Sequence, residues 1–367
     1  MFIDALRGVA ILMVILVHTS HNIPELTYPS LRFAQYGQMG VQLFFVVSAF
    51  TLALSFEGRH EKHNVRNFFI RRFFRIAPAY YSAVLFFFLL RGFLQAADNA
   101  DLIFVWPNDY GIANIVANIL LLHHFYEPAN NTIVPGGWSV GTEFVFYLLF
   151  PWLFVKINNF YSRYGLKRTS YALFGVFLIL VVIQLLLRKI FNIPFYNNSF
   201  LYFSILNQLP VFCIGFIAYF LYRDGVFESM NYQKAIRGFF ICTVLPLLFW
   251  KDFRIIPVVS ALSFLYLMII FYKKSVLCSS ALVLVGRLSF SMYLIHSVFA
   301  YQIGSKLYMG LLSQTFPPVI ALIILYTFVV GATLICALFT EKYIEKVGIG
   351  WGRKFIARLD VNSEKVV

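Results

Sequence analysis

The chain is 367 residues long, 60% hydrophobic, only 13% charged, and carries a net charge of +14. A soluble domain is nearer a quarter charged and less than half apolar, so this composition excludes an ordinary soluble fold. It predicts an all-α, polytopic membrane bundle, with the positive charge gathered in loops on one membrane face rather than serving nucleic acid.

Apolar segments lie near 3–22, 39–56, 77–96, 138–155, 171–187, 200–222, 236–250, 255–272, 281–303 and 318–340, which predicts about ten transmembrane helices. The first reads as a mature helix, because it has one early positive charge and no small-residue cleavage site. The stretch 112–126, IANIVANILLLHHFY, is shorter and carries Asn114, Asn118, His123 and His124. Positive charge decides how to treat it. If 112–126 does not span, one face holds all of the Lys and Arg residues except Arg32, Arg91, Arg188, Lys189, Lys251, Arg254 and Lys306. If it spans, Lys156, Arg163, Lys167, Arg168 and the basic C-terminal residues change sides. The positive-inside rule therefore places both termini in the cytoplasm, with 112–135 a re-entrant or interfacial segment. The chain divides into a membrane domain, 1–340, and a charged cytoplasmic tail, 341–367. Cys213, Cys242, Cys278 and Cys336 have no metal or disulfide spacing and read as small buried hydrophobes.

Ionisable groups inside a bilayer are costly and mark function by default. Arg7 and His18 stand eleven positions apart in DALRGVAILMVILVH, almost three full turns, so they share a helix face about 16 Å apart. An anchoring arginine and an interfacial histidine would satisfy the same pattern. In RNFFIRRFFRIAPAYY (66–81), Arg72 and Arg75 are three apart and face the same way on a helix. Their guanidinium forks suit phosphate, though orientation charge or anionic lipid is the competing reading. In GGWSVGTEFVFYLLFP (136–151), Trp138 suits the outer interface, and Glu143 with Tyr147 lies inward of it. Such a carboxylate needs a partner: a histidine, a polar substrate, or an arginine in a structural ion pair. GRLSFSMYLIHSVF (286–299) puts Ser289, Tyr293 and His296 on one side of a helix, for chemistry or for a hydrogen-bond network.

Together these segments resemble the acyltransferase-3 family of integral-membrane acyltransferases, over essentially the whole chain. Arg7 and His18 match its helix-one signature. GVQLFFVVSAF (40–50) is similar to its second motif and carries Ser48, but has Ala49 where glycine is usual. RRFFRIAPAY, WSVGTEFVFYL and SMYLIH match three further motifs. The resemblance implies O-acylation, with acyl-CoA (commonly acetyl-CoA) as a cytoplasmic donor substrate and no permanently bound cofactor. The acceptor would be a hydroxyl of a carbohydrate such as a surface polysaccharide, and the setting a bacterial inner membrane. A separate extracytoplasmic transferase is a conceivable partner. On this reading His18 is the base or acyl carrier and Glu143 its charge partner. Arg7, Arg72 and Arg75 hold the donor. Ser48, Trp138, Tyr147, Tyr293 and His296 form the acceptor or structural site. Residues lining a sugar would sit in loops such as 22–38, 97–135 and 304–317; Trp106, Asn108, Tyr110, Asn130 and Asn131 suit that role and equally suit an ordinary membrane interface. The alternative class is a multipass transporter of a small metabolite or lipid-linked sugar.

Overall fold

A computed structural model of the chain describes residues 1–59, 61, 63–96 and 110–364. Every regular element among them is helical. In chain order the main helices are α1 (Phe2–Ser20), α2 (Ser30–Glu57), α3 (Asn64–Ala96), α4 (Ile112–Ile119), α5 (Gly137–Phe191), α6 (Phe200–Arg223), α7 (Tyr232–Leu248), α8 (Ile256–Lys273), α9 (Ser280–Arg287), α10 (Ser289–Thr315) and α11 (Pro318–Val361).

Seven of these, α1, α2, α3, α5, α6, α8 and α11, are long and apolar enough to cross a membrane. The pair α9 and α10, bent by 69° at its junction, makes an eighth if it is one broken span. The difference from about ten has identifiable origins. Helix α5 runs through two expected segments, 138–155 and 171–187, and is interrupted at Gly165, where φ 74° and ψ 175° leave the helical region. Helix α7 has 17 residues, about 26 Å at helical rise and shorter than a bilayer core of about 30 Å. Helix α4 lies in the stretch 112–126 that the count of ten already leaves out; it has eight residues, roughly 12 Å long, and is far too short to span.

Two boundaries also differ. Helix α3 begins at Asn64, so the basic run lies on the helix itself, and Pro78 sits in its interior rather than in its first turn. Pro78 has no N–H to give the Phe74 carbonyl, and its own carbonyl accepts from Ser82 Oγ at 2.8 Å. The helical rod of α11 loosens to a π turn at Glu341–Glu345 and then continues as Lys346–Glu364. The residues expected as a charged tail are thus helical up to Glu364.

The described chain forms two compact units. The first comprises Met1–Val17, Leu26–Gly58 and Thr142–Arg287. Its core is aromatic. Phe146 stacks on Phe212 at 3.8 Å, Phe212 on Phe45 at 4.5 Å, and Phe150 and Phe216 extend the cluster at 5.8 Å. Offset ring contacts of this kind add to the gain from burial. A polar seam crosses the same unit, where Gln42 donates to Gln208 at 3.1 Å.

The second unit comprises His18–Glu25, Arg59–Gly141 and Leu288–Val367. Here the final stretch of helix lies against α3. Phe74 meets Phe355 at 6.1 Å, and Arg66 pairs with Asp360. Further along, Ser291 donates to the buried carboxylate of Glu345 at 3.0 Å.

Candidate functional site

The second unit gathers the histidines. His18, two residues from the end of α1, lies with its ring centroid 5.1 Å from that of His296 on α10, tilted by 44°. His296 is 1% exposed. Its Nδ1 lies 2.7 Å from the Tyr293 carbonyl oxygen. A carbonyl only accepts, so in the neutral ring Nδ1 carries the proton and Nε2 the lone pair. Nε2 is buried and has no protein hydrogen-bond partner. A buried nitrogen left in that state is costly, and its lone pair is the atom that could accept a proton or a hydrogen bond from a bound hydroxyl.

Tyr293 does a different task from its neighbour. Its hydroxyl donates to the Gly136 carbonyl at 3.0 Å and accepts from Ser139 Oγ at 2.8 Å. Gly136 has φ +81°, and a Cβ there would meet the Tyr293 hydroxyl at 2.8 Å. Tyr293 therefore braces the turn into α5. Asn131 holds the same turn by accepting from the Gly136 N–H at 2.9 Å. Asn130 is buried, so this pair is built into the protein rather than presented to a sugar. Trp138, expected at the lipid interface, is buried as well. Trp106 and Asn108, with the rest of 97–109, lie outside the described residues.

Next to this turn is a second imidazole network. His123 Nε2 lies 3.0 Å from the Gly137 carbonyl oxygen, and the ring stacks on Tyr80 at 5.4 Å. Tyr80 in turn donates to Asn118 at 2.6 Å. Burial pushes His123 down to about 4; burial, then the His123 charge, brings His124 to about 4 as well. Both rings are therefore neutral near pH 7. The polar residues that mark 112–126 as unlike a spanning helix are thus partly spent in an internal network.

Three residues around His18 were not singled out by the sequence. Tyr301 hydroxyl lies 2.5 Å from His18 Nδ1 and 2.9 Å from His21 Nδ1, and stacks on His21 at 6.1 Å. Asn22 donates to the Ala300 carbonyl at 2.8 Å, fastening this segment to α10. The spacing of His18 and His21, three residues apart, is a legible signal. Tyr301 has none, because it stands five residues beyond His296. That step would turn it about 140° off the face of a regular α-helix. A π turn at Val298–Ile303 changes the phase, and such turns are frequent at functional sites.

Also in the second unit, α3 sorts its arginines. Arg71 Nη1 is held by both oxygens of Glu61, at 3.0 and 2.9 Å. Arg72 lies over the Phe68 ring at 5.8 Å. Arg75 makes no salt bridge among the described residues. Arg71 is thus occupied in fixing the chain before α3.

The first unit holds the other expected residues. Arg7 lies 3.6 Å from Asp4 and 3.5 Å from Thr51 Oγ1, both long contacts. Glu143 Oε1 accepts from Ser48 Oγ at 2.5 Å and from the Tyr147 hydroxyl at 2.6 Å. Three of the expected site residues therefore form one cluster around a single carboxylate oxygen. At Ala49, where glycine was expected, the close approach is supplied by the facing helix. A Cβ on Gly215 of α6 would sit 2.6 Å from the Ala49 Cβ and 2.5 Å from the Val46 carbonyl oxygen. Among the described residues, no group of three His, Cys, Asp or Glu side chains is arranged to hold a metal ion.

Membrane-length helices mark an integral-membrane protein, and its second unit sets the half-buried His18 beside a buried His296 whose Nε2 has no protein partner. Residues 2–340 match the acyltransferase domain of the acyltransferase-3 family, essentially the whole chain. The chain belongs to that family of membrane acyltransferases. No curated protein and no solved structure matches it.

Proposed function

We propose that the protein transfers an acyl group, by preference acetyl, from cytoplasmic acyl-CoA to a carbohydrate hydroxyl at the outer half of a bacterial inner membrane. The observation that carries this reading is the His18–His296 pair, in which His296 Nε2 is a buried lone pair with no protein partner. In the family setting, an acceptor hydroxyl between these rings loses its proton to His18, and its oxygen attacks the thioester carbonyl. The C–S bond breaks and CoA leaves as the thiolate. His296 Nε2 accepts a hydrogen bond from a second hydroxyl of the carbohydrate and so orients the reacting one. Glu143, held by Ser48 and Tyr147, is the carboxylate of the proposed catalytic set, and Arg7 is a further donor contact.

Arg72 and Arg75 would hold donor phosphates on this reading. Changing both to alanine is expected to weaken acyl-CoA binding by roughly tenfold or more, since hydrogen bonds to charged groups contribute about 1.5–3 kcal/mol each. Equilibrium binding of acetyl-CoA to the purified protein checks this; unchanged affinity would leave the two arginines as topology charge.

The positive-inside distribution supports about ten spans, cytoplasmic termini and a non-spanning 112–135. A reporter fused after Arg168 is expected to signal from the cytoplasm, and an external signal would contradict that topology.

The transfer itself is tested in membrane vesicles from producing cells, which hold their own acceptors. Label from radioactive acetyl-CoA is expected in alkali-labile esters of carbohydrate. Label accumulating free in the vesicle lumen would favour transport.

A further inference from the structure

The Tyr301 hydroxyl touches the same nitrogen, Nδ1, of two different histidines: His18 at 2.5 Å and His21 at 2.9 Å. His18 is half-buried, Tyr301 is buried and His21 is exposed. The three groups therefore form an unbroken hydrogen-bonded line from the imidazole pair to the protein surface. Tyr301 reaches this place through the π turn at Val298–Ile303, and the Asn22 bond to the Ala300 carbonyl holds the two strands of the line together. A hydroxyl both donates and accepts, and each imidazole carries a proton on one nitrogen and a lone pair on the other. Those are the requirements of a proton wire.

We propose that His21 and Tyr301 form a relay that carries the acceptor's hydroxyl proton from His18 to solvent. This rests on the reading of His18 as the base. Before transfer, His18 Nδ1–H donates to Tyr301, and Tyr301 O–H donates to His21 Nδ1. As His18 Nε2 takes the acceptor's proton, its Nδ1 proton passes to the Tyr301 oxygen. The Tyr301 proton passes to His21 Nδ1, and His21 Nε2–H is released to water. The alkoxide forms the new C–O bond, the C–S bond breaks, and the thiolate departs. The wire is then inverted. A proton from water entering at His21 Nε2 runs back along it, and His18 Nε2–H protonates the thiolate, which restores the starting state. Acyl-CoA and the alcohol become ester and CoA thiol, with no proton gained or lost. His21 and Tyr301 touch neither substrate and act through His18.

The test uses the full-length protein in membrane vesicles with radioactive acetyl-CoA as probe. The variants are His21→Gln, Tyr301→Phe and His18→Ala. His21→Gln keeps a polar side chain but cannot pass a proton. His21→Gln and Tyr301→Phe are each expected to slow transfer roughly tenfold or more. Imidazole added to the medium is expected to restore His21→Gln, because it supplies the missing terminal base, and to leave Tyr301→Phe slow. Wild-type rates in both relay variants, with His18→Ala inactive, overturn the relay and leave the base assignment standing. A slow His21→Gln that imidazole does not restore also overturns it, in favour of a structural role. Full activity in His18→Ala removes the base itself, and the relay with it.

Discussion

Replacing His296 with alanine is expected to lower acyl transfer by roughly 10²- to 10⁴-fold, the range over which a positioned base or hydrogen-bond acceptor acts. The expectation comes from its tautomer. The Tyr293 carbonyl claims Nδ1, so the lone pair is committed to Nε2, and Nε2 is buried without a protein partner. Among the described residues His123 Nδ1 is buried without a partner too, and what sets His296 apart is the second imidazole, His18, 5.1 Å from its ring. His296→Asn separates the two roles. Its amide can still donate to the Tyr293 carbonyl, but it offers no basic nitrogen. Transfer of label from acetyl-CoA is therefore expected to fall as far in His296→Asn as in His296→Ala. The thermal midpoint in detergent is expected to stay near the wild-type value in His296→Asn. Wild-type activity in either variant would reduce His296 to a packing residue.

The second large effect concerns stability. In the first unit, a Cβ built on Gly286 would lie 1.6 Å from the Asp4 carbonyl oxygen, and one on Gly8 would lie 2.4 Å from the Leu282 carbonyl oxygen. Helices α1 and α9 therefore meet backbone to backbone, as small residues permit in membrane bundles. No side-chain rotation relieves a clash with a carbonyl. Overpacking commonly costs about 1–3 kcal/mol, occasionally more, and Gly286→Ala is expected at or above the upper end. Gly331 on α11 is the control, since nothing lies within 4 Å of a Cβ there. Gly331→Ala is expected to be neutral or stabilising by up to about 1 kcal/mol, from helix propensity. Thermal unfolding of both variants in the same detergent checks the contrast; equal midpoints would mean that the contact yields.

What could be read from sequence follows from what each signal measures. Apolar runs of spanning length mark α1, α2, α5, α6, α8 and α11, because lipid demands them. The same measure is blind to a helix that extends beyond the bilayer. It therefore places the start of α3 near residue 77, although the basic turns from Asn64 are helical, and it treats Lys346–Glu364 as a tail. Motif spacing locates His18, Glu143 and His296, and regular helix geometry explains why each lies where it does. Ser48, Glu143 and Tyr147 converge on one carboxylate oxygen, which only the packing of two helices reveals. Tyr301 was invisible because a π turn breaks the periodicity on which a face is counted. The polar residues of 112–131 carried a functional expectation, yet His123, Asn118, Asn130 and Asn131 are engaged in holding their own segment.

The central claim is that this protein acylates a surface carbohydrate with His18 as base. Mass spectrometry of surface polysaccharide, from cells carrying the wild-type protein and from cells carrying His18→Ala, tests it most directly. Acyl mass increments, one C2H2O per modified hydroxyl if the group is acetyl, are expected in the wild type and are expected to be absent in the variant. Identical polysaccharide spectra from the two strains, both with the protein present in the membrane, would contradict it.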